Sequence, residues 1–457
     1  MGFWDVLLFN IATVLGPRWI ASAAHNGTSS LSLWILAAVL FFFPSALVIV
    51  ELSTRFPNEG GLYVWTKEAF GDFHGFVCGW CYWVYTIFYF PGLLLASVAM
   101  SVYIGGPRAA WLADNRAYLI VASIVLLAIA MGLNLVGLHI GKWLQNAGGV
   151  GTYVPLVMVV IVGVMIWLRH GSVTHYTWST SLPHFDYDTV NFWAQIAFAF
   201  TGLELVTAMS EEVHDPQRNF PRAIFASGVL IAAIYILGTL GVLAIIPADS
   251  VNVQNGVFQG LSLGSAALGL AWIGIIAALL VTVGNAGGVG STVAGVARVP
   301  FVVGLDRYLP RAFGKLHPKW RTPYVAILVQ GLLSAAVLLV FQINETMRGA
   351  YIKLVDAAIL LYFLPFLYMY ASVIRLAFRP DRKQNPRAVL IPGGRFGVIL
   401  AGGLGFIITA LAIVLALIPP GDVTNKLLSV LEVAGATAGS IIVGLVLYRR
   451  GSRVVRA

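Results

Sequence analysis

Twelve apolar runs, parted by short polar connectors, leave this chain few folds to choose from. They cover about 3–24, 32–53, 75–103, 117–138, 144–168, 189–212, 221–247, 266–298, 323–342, 351–375, 397–419 and 427–448. About 20 apolar residues is the length an α-helix needs to cross the hydrocarbon core of a bilayer. No water at that depth can satisfy the backbone, so a run of this length spans as a helix. Composition agrees: 59% of the 457 residues are hydrophobic and 10% are charged, against roughly 25% charged in soluble domains. An all-α membrane protein of about twelve transmembrane helices is expected.

The net charge of +9 could suggest nucleic acid, but the positions of the 28 Lys and Arg explain it otherwise. If the chain starts in the cytoplasm, 21 of them fall on the cytoplasmic side, 6 fall outside, and Arg18 alone lies at mid-depth. That asymmetry is the positive-inside rule. It predicts a multi-pass protein of the cytoplasmic membrane with both termini in the cytoplasm, and no nucleic-acid partner. The start, MGFWD, lacks the basic residues of a cleavable signal, so the first run is read as retained. Cys78 and Cys81 form a CGWC inside the third run with no further ligand nearby. They are read as helix packing, and no metal or cofactor is expected.

Two runs carry residues that a continuous spanning helix has no use for. In NFWAQIAFAFTGLELVTAMSEEV, residues 191–213, Thr201-Gly202 and the carboxylate of Glu204 stand near the middle. A charge at the bilayer centre costs roughly 2.5–3.5 kcal/mol even on insertion scales. A glycine in a helix costs about 1 kcal/mol more. In the first run, Leu15-Gly16-Pro17-Arg18-Trp19 interrupts the helix at the same depth. Unwound backbone is tolerated there only where it lines a protein-enclosed cavity. Two broken helices in corresponding places point to a transporter's binding site.

The second break begins the sixth run, so spans one to five and six to ten each open on a broken helix. Five is odd, and the second set must therefore enter the membrane from the opposite side as an inverted repeat. The expected organisation is 1–168 and 169–378 as the two repeats, with 379–457 adding two spans and a tail.

A broken helix exposes carbonyls where one half ends and N–H groups where the next begins, with partial charges of roughly half an electron each. An ammonium suits the first and a carboxylate the second. Side by side, the breaks would receive an amino acid. Phe198, one turn before the sixth-run break, is placed to close over it. Tyr82 is singled out among the third-run aromatics, and the small polar face of the eighth run adds Asn285 and Thr292. Arg18 and Glu204 either pair across the breaks or act on the substrate, and Asp356 in the tenth run joins Arg18, Glu204 and Phe198 as a candidate for coupling or gating.

The segments FAFTGLELVTAMSEEVHDPQRNFPRAI, ELSTRFPNEGGLYVWTKEAFG and RVPFVVGLDRYLPRAFGKLHPKWRTP together resemble the amino acid–polyamine–organocation superfamily of permeases. The resemblance implies a leucine-transporter-like fold of two inverted five-helix repeats plus two helices. It also implies secondary active transport of amino acids or related amines by alternating access, through proton symport or exchange, in a monomer or homodimer. By position, Phe198 resembles an aromatic gate, Thr201 and Gly202 the sixth-helix break, Glu204 an acidic residue of several members and Tyr82 a pocket aromatic. Where many members have a Gly-Ser-Gly-like first break, this chain has Gly16-Pro17-Arg18. An enzyme would need convergent His, Ser or Cys groups inside the membrane, and the eight histidines lie in connectors or at run ends. A channel would need a continuous polar pore.

Overall fold

The computed structural model describes residues 1–456 except 59, 184–186, 306–307, 342–346, 381–384, 420–422 and 424, and all regular elements among them are helical. Ten helices are long and apolar enough to cross a membrane. In chain order they are Ser29–Arg55, Asp72–Gly106, Arg116–Val136, Gln145–His170, Pro216–Ile245, Trp272–Val302, Tyr324–Phe341, Gly349–Ala377, Gly394–Leu415 and Lys426–Ser452. These are spans two to five and seven to twelve. Span one is a bent pair, Phe3–Val14 and Pro17–His25, at 41°. Span six is Tyr187–Ala199 and the 3₁₀ segment Leu205–Glu212, joined by irregular backbone. Among the described residues, ten rods and one bent pair give up to eleven crossings by length and composition, against about twelve expected from sequence; the sixth run is the one interrupted between Ala199 and Leu205.

Each break has a local cause. Pro17 has no N–H and its ring excludes the carbonyl four residues back. Leu15 and Gly16 are extended, and Pro17 restarts the helix at its first position, where proline is favoured. In span six the chain turns at Gly202, whose φ of +116° is a region few L-residues adopt. Pro44 in span two is handled differently. A π-helical turn, Ala38–Phe42, precedes it and absorbs the lost hydrogen bond without breaking the rod. The amphipathic connector after span two forms the helix Leu62–Phe70, with Tyr63 and Trp65 buried.

Lipid tails are as apolar as leucine, so helices in a membrane associate through close packing, which small residues permit. The two most extensive interfaces join span five to span eight and span three to span ten. At the first, glycines face each other: a Cβ on Gly148 would lie 2.6 Å from Gly287 Cα, and one on Gly151 2.5 Å from the Leu280 carbonyl oxygen. The first half of span one lies along the same seam, with Gly149 and Gly288 pressed on the carbonyls of Leu8 and Ala12.

This contact predicts that Gly148→Val and Gly151→Val are overpacked by about 1–3 kcal/mol. Both should lower the thermal midpoint and the monodisperse fraction in detergent. Gly403→Ala, where a Cβ meets nothing within 4 Å, should change neither. Wild-type midpoints for both valine variants would show that the seam is loose.

Candidate binding site at the two helix breaks

The interruptions meet. A Cβ on Gly202 would lie 3.1 Å from Val14 Cγ2 and 3.6 Å from the Thr13 carbonyl, and the Trp19 and Phe198 rings stand edge to face at 5.7 Å. Between them is a cavity of about 10 Å³, lined by Thr13, Val14, Trp19, Tyr85, Tyr89, Phe198, Thr201, Gly202, Leu205, Thr292 and Tyr362. That is about the room of one water. A larger cavity of about 480 Å³ lies between the ends of spans four, eight and nine, with Arg298, Lys319 and Arg321 on its wall. Of the broken segments, only Glu212 at the far end of span six reaches it.

The loosened backbone groups can be followed one by one. Tyr235, on span seven, puts its hydroxyl 2.7 Å from the Val14 carbonyl and 3.0 Å from that of Ala199, and accepts from Gly16 N–H at 3.2 Å. One phenol therefore touches the ends of both broken helices. Leu15 N–H donates to Ile11, Trp19 N–H to Gly16, Phe200 N–H to Ala197 and Thr201 N–H to Phe198. Pro17 has no N–H to give. Among the described residues, the backbone groups left without a partner include the N–H of Arg18 and the carbonyls of Thr13 and Leu15 at the first break, and the carbonyls of Phe200 and Thr201 at the second. Of these residues, Thr13 and Thr201 line the cavity.

Glu204 is 1% exposed and fully engaged. Its Oε1 accepts from Tyr82 at 2.9 Å and from the Tyr362 hydroxyl, and its Oε2 accepts from Gly202 N–H at 3.1 Å. The carboxylate thus stitches the sixth-span break to spans three and ten. Arg18 does not pair with it. Arg18 is 2% exposed, its guanidinium stacked 4.5 Å over Trp19 and 4.9 Å over Tyr89, and its Nε and Nη1 have no hydrogen-bond partner.

Phe198 sits among the rings of Trp19, Tyr89, Tyr362 and Phe363, at 5.4–6.1 Å. Thr292 reaches the cavity. Asn285 instead packs its amide on Met100 Sδ of span three and lies off the lining. Leu15 and Pro17 are buried behind the break, and Asp356 is buried beside Asn191 with Oδ1 unpartnered. Tyr82 serves Glu204, whereas the cavity wall on span three is Tyr85 and Tyr89. The sequence singles out only Tyr82 among the third-run aromatics, although Tyr82, Tyr85 and Tyr89 share one helical stripe. Tyr235 carries no local signal at all, because its partners are more than 30 residues away in sequence. Cys78 and Cys81 are buried free thiols within span three.

The chain matches a family model described as amino acid permease over residues 1–438. It is 29% identical, over 93% of this chain and 91% of the other, to an uncharacterised transporter of Legionella pneumophila. It is 27% identical to the serine/threonine exchanger SteT of Bacillus subtilis, over 88% of each chain. With the probable agmatine/putrescine antiporter AguD of Lactococcus lactis it shares 23% identity over 99% and 95%. A family model spanning nearly the whole length, on a bundle with two broken helices meeting at a small polar cavity, means that this chain belongs to the amino acid permeases, integral membrane transporters of the amino acid–polyamine–organocation superfamily.

Proposed function

We propose that this permease exchanges or symports amino acids at the junction of the two broken helices, by alternating access from either side of the cytoplasmic membrane. The observation that carries the reading is the meeting of the breaks, with unpartnered backbone groups at each and with Thr13 of one and Thr201 of the other on the wall of one cavity. The Phe200 and Thr201 carbonyls, at the negative end of a half-helix, suit the ammonium, and Arg18 N–H, at the positive end of the next, suits the carboxylate. Thr201, Thr292 and Tyr362 surround the rest of the molecule, and Phe198 is the gate. The cavity is too small for an amino acid, so Phe198 and the half-helices must shift to admit one. AguD supports a second reading, in which the cargo is an organic amine.

The proposed mechanics use residues 1–168 and 169–378 as inverted repeats, with 379–457 outside them. Exchanging spans one to five for six to ten turns the five–eight interface into the ten–three interface, and those are the two most extensive in the molecule. The distribution of Lys and Arg supports cytoplasmic termini.

Counterflow in proteoliposomes, with a panel of labelled amino acids and amines, tests the proposal. Trans-acceleration by at least one of them is expected, and its absence across the panel defeats the reading. Two variants follow from the geometry. Glu204→Gln keeps the shape but replaces an acceptor-only carboxylate facing three donors with an amide that carries its own N–H groups. Counterflow should fall about tenfold or more while the protein stays in the membrane, since charge-assisted hydrogen bonds contribute about 1.5–3 kcal/mol. A wild-type rate would remove Glu204 from the mechanism. Tyr235→Phe strips the shared hydroxyl from both breaks, at about 1–3 kcal/mol for buried groups left unsatisfied. It should lower both thermal midpoint and transport rate, and an unchanged midpoint would mean that the breaks are held together by something else.

A further inference from the structure

We infer that Arg18 recognises a carboxylate of the substrate, so that this permease takes amino acids that keep their acid group and rejects decarboxylated di- and polyamines. The inference rests on the transport reading above and narrows its substrate class.

The first argument is the state of the guanidinium. It is buried at mid-depth, yet Nε and Nη1 have no acceptor. No carboxylate oxygen lies within ion-pair distance of it among the described residues. Glu204 is held by Tyr82, Tyr362 and Gly202, and Asp356 lies beside Asn191. Glu204 is therefore engaged elsewhere, Asp356 lies beyond ion-pair distance with its own Oδ1 unpartnered, and the cation is left without a direct counter-charge. The guanidinium carbon stands 4.5 Å from the Trp19 ring and 4.9 Å from the Tyr89 ring, contacts that draw on the charge but supply no hydrogen-bond acceptor. A guanidinium held by rings with two of its nitrogens unpartnered is prepared for a two-oxygen acceptor. Packing alone is a poor reason to retain an unpaired charge at this depth.

The second argument comes from the backbone. A carboxylate cradle at the first break would need free N–H groups, and four of the five residues from Leu15 to Trp19 supply none. Leu15, Gly16 and Trp19 have donated theirs within the protein, and Pro17 has none. One amide remains, that of Arg18. Side chains lean toward the N-terminus of their helix, so the second residue of Pro17–His25 reaches back toward the break from which its own N–H projects. Both rings that hold it, Trp19 and Tyr89, line the cavity, so the guanidinium lies directly behind that wall. With the rings displaced as a ligand enters, the side chain supplies the donors that Gly16-Pro17 withholds. A diamine would bring a second cation toward Arg18 and no acceptor for it.

The test is proteoliposome counterflow with matched ligands. These are the amino acid that exchanges best in the panel, its methyl ester, its decarboxylated amine, and the diamines putrescine and agmatine. The wild-type protein should show a KM for the acid at least about tenfold below that of ester or amines, the scale of a charge-assisted pair. Arg18→Gln should raise KM for the acid by a similar factor, so that acid and ester become alike, with kcat changed less than KM. Arg18→Lys, which keeps a cation but not the planar fork, should restore part of the preference. The inference is overturned if wild type carries ester or diamine as well as acid. It is also overturned if Arg18→Gln slows every ligand equally, which is what mere packing between spans one and three would give. No counterflow with any ligand defeats the transport reading and this inference together. Intact counterflow with unchanged selectivity in Arg18→Gln defeats this inference alone.

Discussion

Backbone groups at mid-membrane depth have no water to turn to, and everything at the centre of this permease follows from how that demand is met twice over. Each break frees carbonyls and amides that would cost several kcal/mol apiece if left bare in hydrocarbon. The Tyr235 hydroxyl meets part of the demand at both breaks at once, standing within 3.0 Å of Val14 and Ala199 carbonyls while accepting from Gly16. A phenol has a single proton, so the two carbonyls share it. Neither half-helix end is fully satisfied, and neither can leave without exposing the other. The breaks consequently behave as one unit, with Gly202 folded against Val14 because a side chain there would not fit. The accounting ends with a few unused groups.

The same unit is set in a frame of close helix contacts. The first half of span one rests on glycines 149 and 288, with its own backbone carbonyls forming the contact. Both halves also pack on span seven, the first with the Asn10 amide donating to the Ser227 hydroxyl at 3.1 Å and the second with Ile20 filling the space beside Gly238. At its start the first half is also joined to the far end of span six, since His214 N–H donates to the Met1 carbonyl at 2.9 Å. Phe3–Val14 and Leu205–Glu212 are therefore connected to each other at one end.

Much of this was legible in the sequence, and what was hidden shares one character. Spans are written in the local apolar density, and the breaks in Gly16-Pro17 and Thr201-Gly202, because the forces involved act within a few residues along the chain. Glu204 announced itself by its cost. The partnerships did not. Whether Arg18 would meet Glu204 depends on the rotation of two half-helices about their axes, and Tyr82 and Tyr362 reach the carboxylate first. Asn285 and Thr292 lie on the same polar run two turns apart, but only Thr292 faces the cavity. Tyr235 reads as an ordinary aromatic in an ordinary span. Its role exists only once three distant segments are brought together.

The closed cavity shows how such a site can be both sealed and easily opened. Four rings surround Phe198, and an edge-to-face aromatic pair contributes about 0.5–1.5 kcal/mol beyond the area it buries. Taken together, these contacts contribute a few kcal/mol to the packing around Phe198, a scale that a ligand's own interactions can offset. An ion pair between Arg18 and Glu204 would have sealed the site more firmly, since parting buried charges leaves each uncompensated at about 3–5 kcal/mol. It would also have consumed the group that the leftover backbone donors need beside them. The carboxylate is engaged by phenols and the guanidinium by aromatic rings, and three of those rings, Trp19, Tyr89 and Tyr362, also pack on Phe198. In the proposed gating, rotating these rings breaks no salt bridge but moves the partners of both charged groups, so closure and recognition are coupled through the same aromatic side chains.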